Sequence, residues 1–369
     1  MMKSETHAVS LDASRRSFLG HAGAGLLLLG ASGLTLAGQP SAAVLTHASA
    51  PGHDAMSAPA LAAHNTIMVA ADPAQIPAPI SRRHVVHHDI TLEAKEVRAH
   101  LADGSEFDFM TWNGQIPGPM IRVRQGDTLT LTVRSAESNS RPHSVDMHAI
   151  FGTGGGSTAT LLAPGGSRQE FFKCMYPGAF IYHCAVPNMD EHISRGMFGM
   201  ILVEPETGLP PVDREFYLGQ HELYTREPFG ATGLLNFDYT SMIREDPNFV
   251  LFNGSVGALV GANAMKAKVG ETIRVFMVSG GPNLASSFHP IGNVWKRCWP
   301  EGALANAPLK YIQTQTVPPG SCFVGDMELP IPETIKLVDH ALSRVARKGL
   351  LAEIVVDGPA NPAVYHPIS

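Results

Sequence analysis

Cysteine and charge are both scarce in this chain. Only four of its 369 residues are cysteine, and only 16 % are charged. Cys174, Cys184, Cys298 and Cys322 are too few to staple a chain of this length, so a disulfide scaffold is excluded. A basic excess is lacking too: the formal net charge of −6 argues against nucleic acid as a partner. Helical periodicity is weak everywhere except over 341–348. The apolar run 22–36 is broken by Gly23, Gly25, Gly30 and Gly33 and makes a poor membrane span, so no span is expected in the mature protein. No His-x-His occurs anywhere.

Glycine (36), proline (28) and histidine (17) are plentiful instead. Glycine and proline punctuate short runs, as in Ile116-Pro117-Gly118-Pro119 and Pro164-Gly165-Gly166. Thr128-Leu129-Thr130-Leu131-Thr132-Val133 alternates polar and apolar, the mark of a half-buried strand, and Gly199-Met200-Ile201-Leu202-Val203 reads as a buried one. The texture is that of an all-β chain of sandwiches. An internal repeat doubles it. Trp112-Asn113-Gly114 leads to Gly126-Asp127-Thr128, as Phe252-Asn253-Gly254 leads to Gly270-Glu271-Thr272. By eye, His143 falls near the place of His289, and Tyr182-His183-Cys184-Ala185 near Val338-Asp339-His340-Ala341. Two sandwiches of one kind are expected, 84–207 and 208–369.

The first part of the chain is different. Ser14-Arg15-Arg16-Ser17-Phe18-Leu19 before the apolar run reads as a twin-arginine export signal, which predicts a periplasmic protein exported folded. The signal is expected to span 1–43, with Ser41-Ala42-Ala43 and Ala48-Ser49-Ala50 as alternative cleavage sites. Residues 44–83, rich in Ala, Pro, His and Met and without periodicity, read as a linker or an arm laid over the surface.

Chemistry concentrates between His143 and Met197. Cys184, His192 and Met197 form Cys-x7-His-x4-Met, with His143 upstream. Two imidazoles, one thiolate and a weak thioether are the ligand choice of blue copper. The thiolate stabilises Cu(I), the imidazoles suit both oxidation states, and the thioether sets the potential. Alone, a cysteine at a strand end is a small buried hydrophobe and a methionine is core filler. The spacing, in a β context with an upstream histidine, reverses that reading.

A second set of histidines lies alongside. His148 is separated from His143 by an odd number of positions, so on a strand the two face opposite ways. His183 directly precedes Cys184 and likewise faces away from the first copper. His148 and His183 therefore meet on the far side, and His340 is the candidate third ligand. Three neutral imidazoles with one open position describe a catalytic metal. Asp146 and His289 are candidates for proton work beside it.

These residues resemble the copper-containing nitrite reductases. The resemblance covers nearly all of 84–357. It rests on Met110-Thr111-Trp112-Asn113-Gly114 with Pro117-Gly118-Pro119, on His143-x2-Asp146-x-His148, and on Gly178-Ala179-Phe180-Ile181-Tyr182-His183-Cys184-Ala185. Further support comes from Asp213-Arg214-Glu215-Phe216-Tyr217, Phe252-Asn253-Gly254-x2-Gly257-Ala258-Leu259, Phe288-His289-Pro290-Ile291-Gly292 and Leu337-Val338-Asp339-His340. The compact loop after Cys184 is similar to the short-loop branch that includes outer-membrane neisserial relatives.

The resemblance implies two tandem cupredoxin-like Greek-key sandwiches and two copper ions per chain. Type 1 copper falls on His143, Cys184, His192 and Met197, and type 2 copper on His148, His183 and His340. The acid–base pair falls on Asp146 and His289. Ile291 matches an apolar residue over the substrate, and Thr314 a hydroxyl supporting the catalytic histidine. The resemblance further implies reduction of nitrite to nitric oxide, a protein electron donor (a cytochrome c or small cupredoxin), and a homotrimer with type 2 copper between subunits. A histidine at the repeat equivalent of Cys184 would explain why the second sandwich has no blue site. Cys174, Cys298 and Cys322 are expected as buried thiols, with a Cys298–Cys322 disulfide as the alternative.

Two other readings compete. A laccase-like two-domain multicopper oxidase typically uses His-x-His pairs and a His-Cys-His triplet; this chain has neither, and Ala185 follows Cys184. A non-catalytic blue-copper electron carrier leaves His148, His183, His289 and His340 without a role.

Overall fold

The computed structural model of the chain describes residues 67–368. The expected export signal and cleavage sites lie outside the described residues, as does 44–66 of the arm. The described residues fold into four sheets. In the first half, a five-stranded sheet orders Gly233–Leu235, Ser105–Trp112, His87–Ala102, Thr128–Ser135 and Ser167–Lys173. It packs on a four-stranded sheet of Ile121–Arg124, Phe198–Glu204, Gly178–His183 and Asp146–Met147. In the second half, the sheets are Phe249–Phe252, Arg214–Leu223, Thr272–Ser279, Ser321–Glu328, Trp295–Trp299, Leu309–Ile312, and Met265–Lys268, Ala352–Asp357, Glu333–Asp339, Ser286–Ile291, Gln315–Val317. Gly233–Leu235 crosses over from the second half to extend the first half's sheet.

Each half opens with a strand that pairs in parallel with a later one: His87–Ala102 with Thr128–Ser135, and Arg214–Leu223 with Thr272–Ser279. Each half closes the same way, Phe198–Glu204 with Ile121–Arg124 and Ala352–Asp357 with Met265–Lys268. Parallel neighbours cannot be joined by a tight turn, so these pairs carry the Greek-key crossovers. The fold is all-β, two sandwiches in tandem.

The repeat reaches individual hydrogen bonds. Asn113 and Asn253 both adopt left-handed backbone, at φ 57 and 52. Their side chains accept from Glu93 N and Gly219 N at 2.7 and 2.9 Å. Strand pairing also corrects the alignment made by eye. Gly178 pairs with Val203 and Glu333 with Val356, at matching ends of two hairpins. Counting in step sets Cys184 against Asp339, one position before His340. Asp146 pairs with His183, and His289 with Val338. His289 therefore stands where Asp146 does, and Ser286 where His143 does.

Hydrogen bonding agrees with that correction. Backbone amides of Ser144 and Val186 point at the Cys184 sulfur. Asp339 Oδ1 accepts from Ser287 N and Ala341 N, both at 3.0 Å. Asp339 and Cys184 are fully buried, whereas His340 is exposed. The second sandwich thus keeps the cradle of Cys184 but fills it with a carboxylate, which pairs with Arg344. Face alternation decides the register, and motif letters alone do not carry it.

Packing ties the sandwiches together through one strand. Phe198–Glu204 is buried at every residue. Ile201 and Val203 face the first sandwich's core. Phe198, Met200 and Leu202 face a cluster shared with Tyr217, Phe276 and Val324. Burial of each such side chain contributes about 1.5–3 kcal/mol. The described part of the arm lies along this seam: Ile116 N donates to Val69 O, Tyr217 N to Pro73 O and Asn253 Nδ2 to Ala71 O. All four cysteines are free and buried, and Cys298 and Cys322 lie in different apolar clusters, so the alternative disulfide does not form.

Candidate metal centres

Cys184 follows the last residue of Gly178–His183 and faces inward. Its sulfur lies 3.4 Å from His192 Nδ1 and 3.8 Å from His143 Nδ1. The two imidazoles meet edge to face, with centroids 5.2 Å apart. His192 rides on the short helix Met189–Ser194. Met197 lies in the same apolar cluster as Cys184. Its carbonyl accepts from Cys184 N and its amide donates to His192 O, each at 3.1 Å, which closes the loop on itself. Gly196 makes the closure possible: its φ is 115, and a Cβ there would lie 2.2 Å from Ile116 Cδ1.

All four side chains are at most 2 % exposed. Burial lowers the proton affinity of His143 and pushes His192 down to about 4, so both are neutral donors. Glu96 Oε1 lies 3.4 Å from His143 Nε2, which assigns the ring proton to that nitrogen and leaves Nδ1 free. Burial pushes the Cys184 thiol up, against the pull of the Ser144, Val186 and Ala185 amides. A thiolate there needs a cation, and two neutral imidazole nitrogens already face it. The donor set fits a copper ion.

The other face of the strand carries the second set. His183 Nδ1 donates to Cys184 O at 2.9 Å and so leaves Nε2 free. His148 Nε2 lies 3.2 Å from that nitrogen. Burial and then His183 lower the proton affinity of His148. Two lone pairs at this distance repel unless a proton or metal stands between them, which also fits a cation. Asp146 Oδ2 lies 3.9 Å from His183 Nε2. A tight loop backs onto Asp146: Gly155 has φ 58, and a Cβ there would lie 1.8 Å from Asp146 Oδ1.

His340 does not join them. Among the described residues, the cluster within one chain is Asp146, His148 and His183. His340 instead meets His289, ring centroids 5.2 Å apart, on the second sandwich. His289 Nδ1 donates to Gln313 O at 2.7 Å, and Thr314 Oγ1 lies 3.3 Å from the same nitrogen. Ile291, on the strand of His289, is 42 % exposed. One chain therefore carries two separate groups, Asp146, His148 and His183 on the first sandwich and His289 with His340 on the second. Sequence reasoning did not find Glu96, Gly155 or the carbonyl of Gln313. The first two have no neighbouring motif, and a carbonyl carries no side-chain signature.

Known proteins resemble this chain in both sequence and fold. A family model described as "Multicopper oxidase" matches residues 93–208. A copper-containing nitrite reductase of Neisseria meningitidis is 43 % identical over 291 residues, 79 % of this chain and 75 % of the relative. That of Neisseria gonorrhoeae is also 43 % identical, over 79 % of this chain and 74 % of its own length. The solved structure of the copper nitrite reductase from Nitrosomonas europaea superposes with a TM-score of 0.66 at 32 % identity, covering 75 % of this chain and 96 % of that one. On these relatives, this chain belongs to the copper-containing nitrite reductases.

Proposed function

We propose that this enzyme reduces nitrite by one electron and two protons to nitric oxide and water, using two copper ions per chain. His143, Cys184, His192 and Met197 hold the type 1 ion. His148 and His183 of one subunit, with His340 of its neighbour in a homotrimer, hold the type 2 ion. The observation that carries this reading is the strand end itself: Cys184 faces one donor set, His183 faces the other, and one peptide bond joins them. Copper supplies a one-electron store at the first set and Lewis acidity toward a bound anion at the second.

The chain's own groups do the rest. A donor protein, a cytochrome c or small cupredoxin, docks near His192. The Cys184–His183 peptide is the shortest covalent connection between the ligand sets, and the electron follows it. Asp146 and His289 deliver the two protons, and both end on the oxygen that leaves as water. Gln313 O and Thr314 hold the ring of His289 in place, and Ile291 gives the nitrite pocket an apolar wall. The periplasm, reached by the twin-arginine route, is the proposed location.

Copper-loaded protein, supplied anaerobically with an artificial donor and nitrite, should evolve nitric oxide. Metal analysis should give two coppers per chain; one would favour an electron carrier, and four a multicopper oxidase. Asp146→Asn should keep both coppers and the blue colour yet lose about 10²–10⁴-fold in rate, the usual worth of positioned proton transfer. A wild-type rate in that variant would remove Asp146 from the proton path.

A further inference from the structure

The loop that carries His192 and Met197 is held from the opposite sandwich. The helix Met189–Ser194 ends in carbonyls with no partner inside so short an element. His221, on the strand Arg214–Leu223, reaches one of them: its Nδ1 donates to Ser194 O at 2.8 Å. Ser194 Oγ donates in return to Glu222 O, also at 2.8 Å. His221 and Ser194 are both fully buried. His221 Nε2 has no partner among the described residues, and the ring packs on Phe198 with centroids 5.5 Å apart. Phe198 follows Met197 directly. Its ring is seated against Gly219 and Gly280, where a Cβ would lie 2.7 and 2.1 Å from ring atoms. The second sandwich therefore holds this segment at Ser194 and again at Phe198.

We infer that His221 is a positioning residue of the type 1 site, fixing the distance of His192 and Met197 from Cys184 by capping the helix that carries His192 and leads into Met197. The inference rests on the type 1 ligand set proposed above. His221 touches none of the ligands. Its effect is through geometry: a thioether bond is weak and long, so a small shift of segment 192–197 changes the potential and the colour of the site. A second-half residue thereby tunes a metal held entirely by first-half ligands.

Three variants separate the cap from mere packing. His221→Leu fills the space without a donor. His221→Gln carries a donor too far along the side chain, in the place of Nε2. His221→Asn puts a donor in the place of Nδ1. In copper-loaded protein, Leu and Gln should shift the type 1 absorption band and reduction potential, and Asn should restore both toward wild type. In copper-free protein, amide exchange over 193–197 should be roughly fivefold faster with Leu or Gln, as one lost buried hydrogen bond implies, and near wild type with Asn. Wild-type spectrum, potential and exchange in the Gln variant would overturn the inference, even if the Leu variant fails to fold. A wild-type protein that binds no blue copper would instead overturn the ligand assignment, while the copper-free exchange would still decide the clamp.

Discussion

Two glutamates show how one position serves different ends in the two sandwiches. Glu96 accepts from the amides of Ser140 and Arg141, and Glu222 from those of Asn283 and Leu284. Burial raises the proton affinity of Glu96, but hydrogen bonds from Ser140 outweigh it, and the carboxylate beside His143 stays below its ordinary range. Glu222 has no cation among the described residues, and burial pushes it up to about 7 from 4.5. Its folded pKa is raised, so its stabilising contribution is complete below about 4.5 and is lost as pH rises through about 7. Glu222→Gln keeps the accepting oxygen and removes the charge. Thermal unfolding should show the variant gaining about 2–3 kcal/mol over wild type at pH 8 and almost nothing at pH 4.5; an equal difference at both pH values would contradict the titration. Neither glutamate was legible in the sequence, because such a carboxylate is distinguished by what donates to it, here backbone amides joined by the Ser140 and Tyr224 hydroxyls. The proposed type 1 ligands stood out for the opposite reason: sulfur and imidazole at fixed spacing are scarce enough to be read as letters.

Among elements, the turn 152–156 packs against Asp146 of the proposed second centre. Gly154, Gly155 and Gly156 all have left-handed backbone, at φ 59, 58 and 95. Only glycine adopts this run without strain, and it brings the loop flat against Asp146. Gly155→Ala should displace that carboxylate and slow nitrite reduction on the order of 10²-fold, as misplacement by about 1 Å does elsewhere. The type 1 band should not change, since Cys184 faces the other way; turnover at the wild-type rate would show that the loop does not set Asp146. Thr128–Ser135 was plain from its alternation and Phe198–Glu204 from its apolar run. So was the helix at Ser343–Lys348. Met189–Ser194 and Tyr239–Ile243 were not, because so few turns leave no room for a period to show. The strand expected to carry both His143 and His148 is only Asp146–Met147. His143 is instead held by a lone bridge to Leu162, and His148 by its amide to Ile181 O.

The molecule as a whole keeps its proposed type 2 ligands on separate sandwiches. His148 and His340 are both exposed and lie on different sandwiches. If each type 2 centre is shared between neighbours in a ring, His148→Ala and His340→Ala chains should each be inactive alone. Co-assembled in equal amounts, they should recover about a quarter of the wild-type activity, the random-pairing value for a closed ring with one face from each chain. A mixture as inactive as its parents would mean that the site is not shared. The tandem repeat was visible in the sequence but its phase was not, and the correction from His340 to Asp339 came from strand pairing. Phase has a further consequence at Gly178–His183. Because His183 and Cys184 are neighbours on an alternating strand, one residue inserted before them would turn both metal centres inside out at a stroke. An insertion over 185–188 would leave their facing untouched. Over descent, then, the loop after Cys184 is free to vary in length, while the two proposed ligands can only be inherited together.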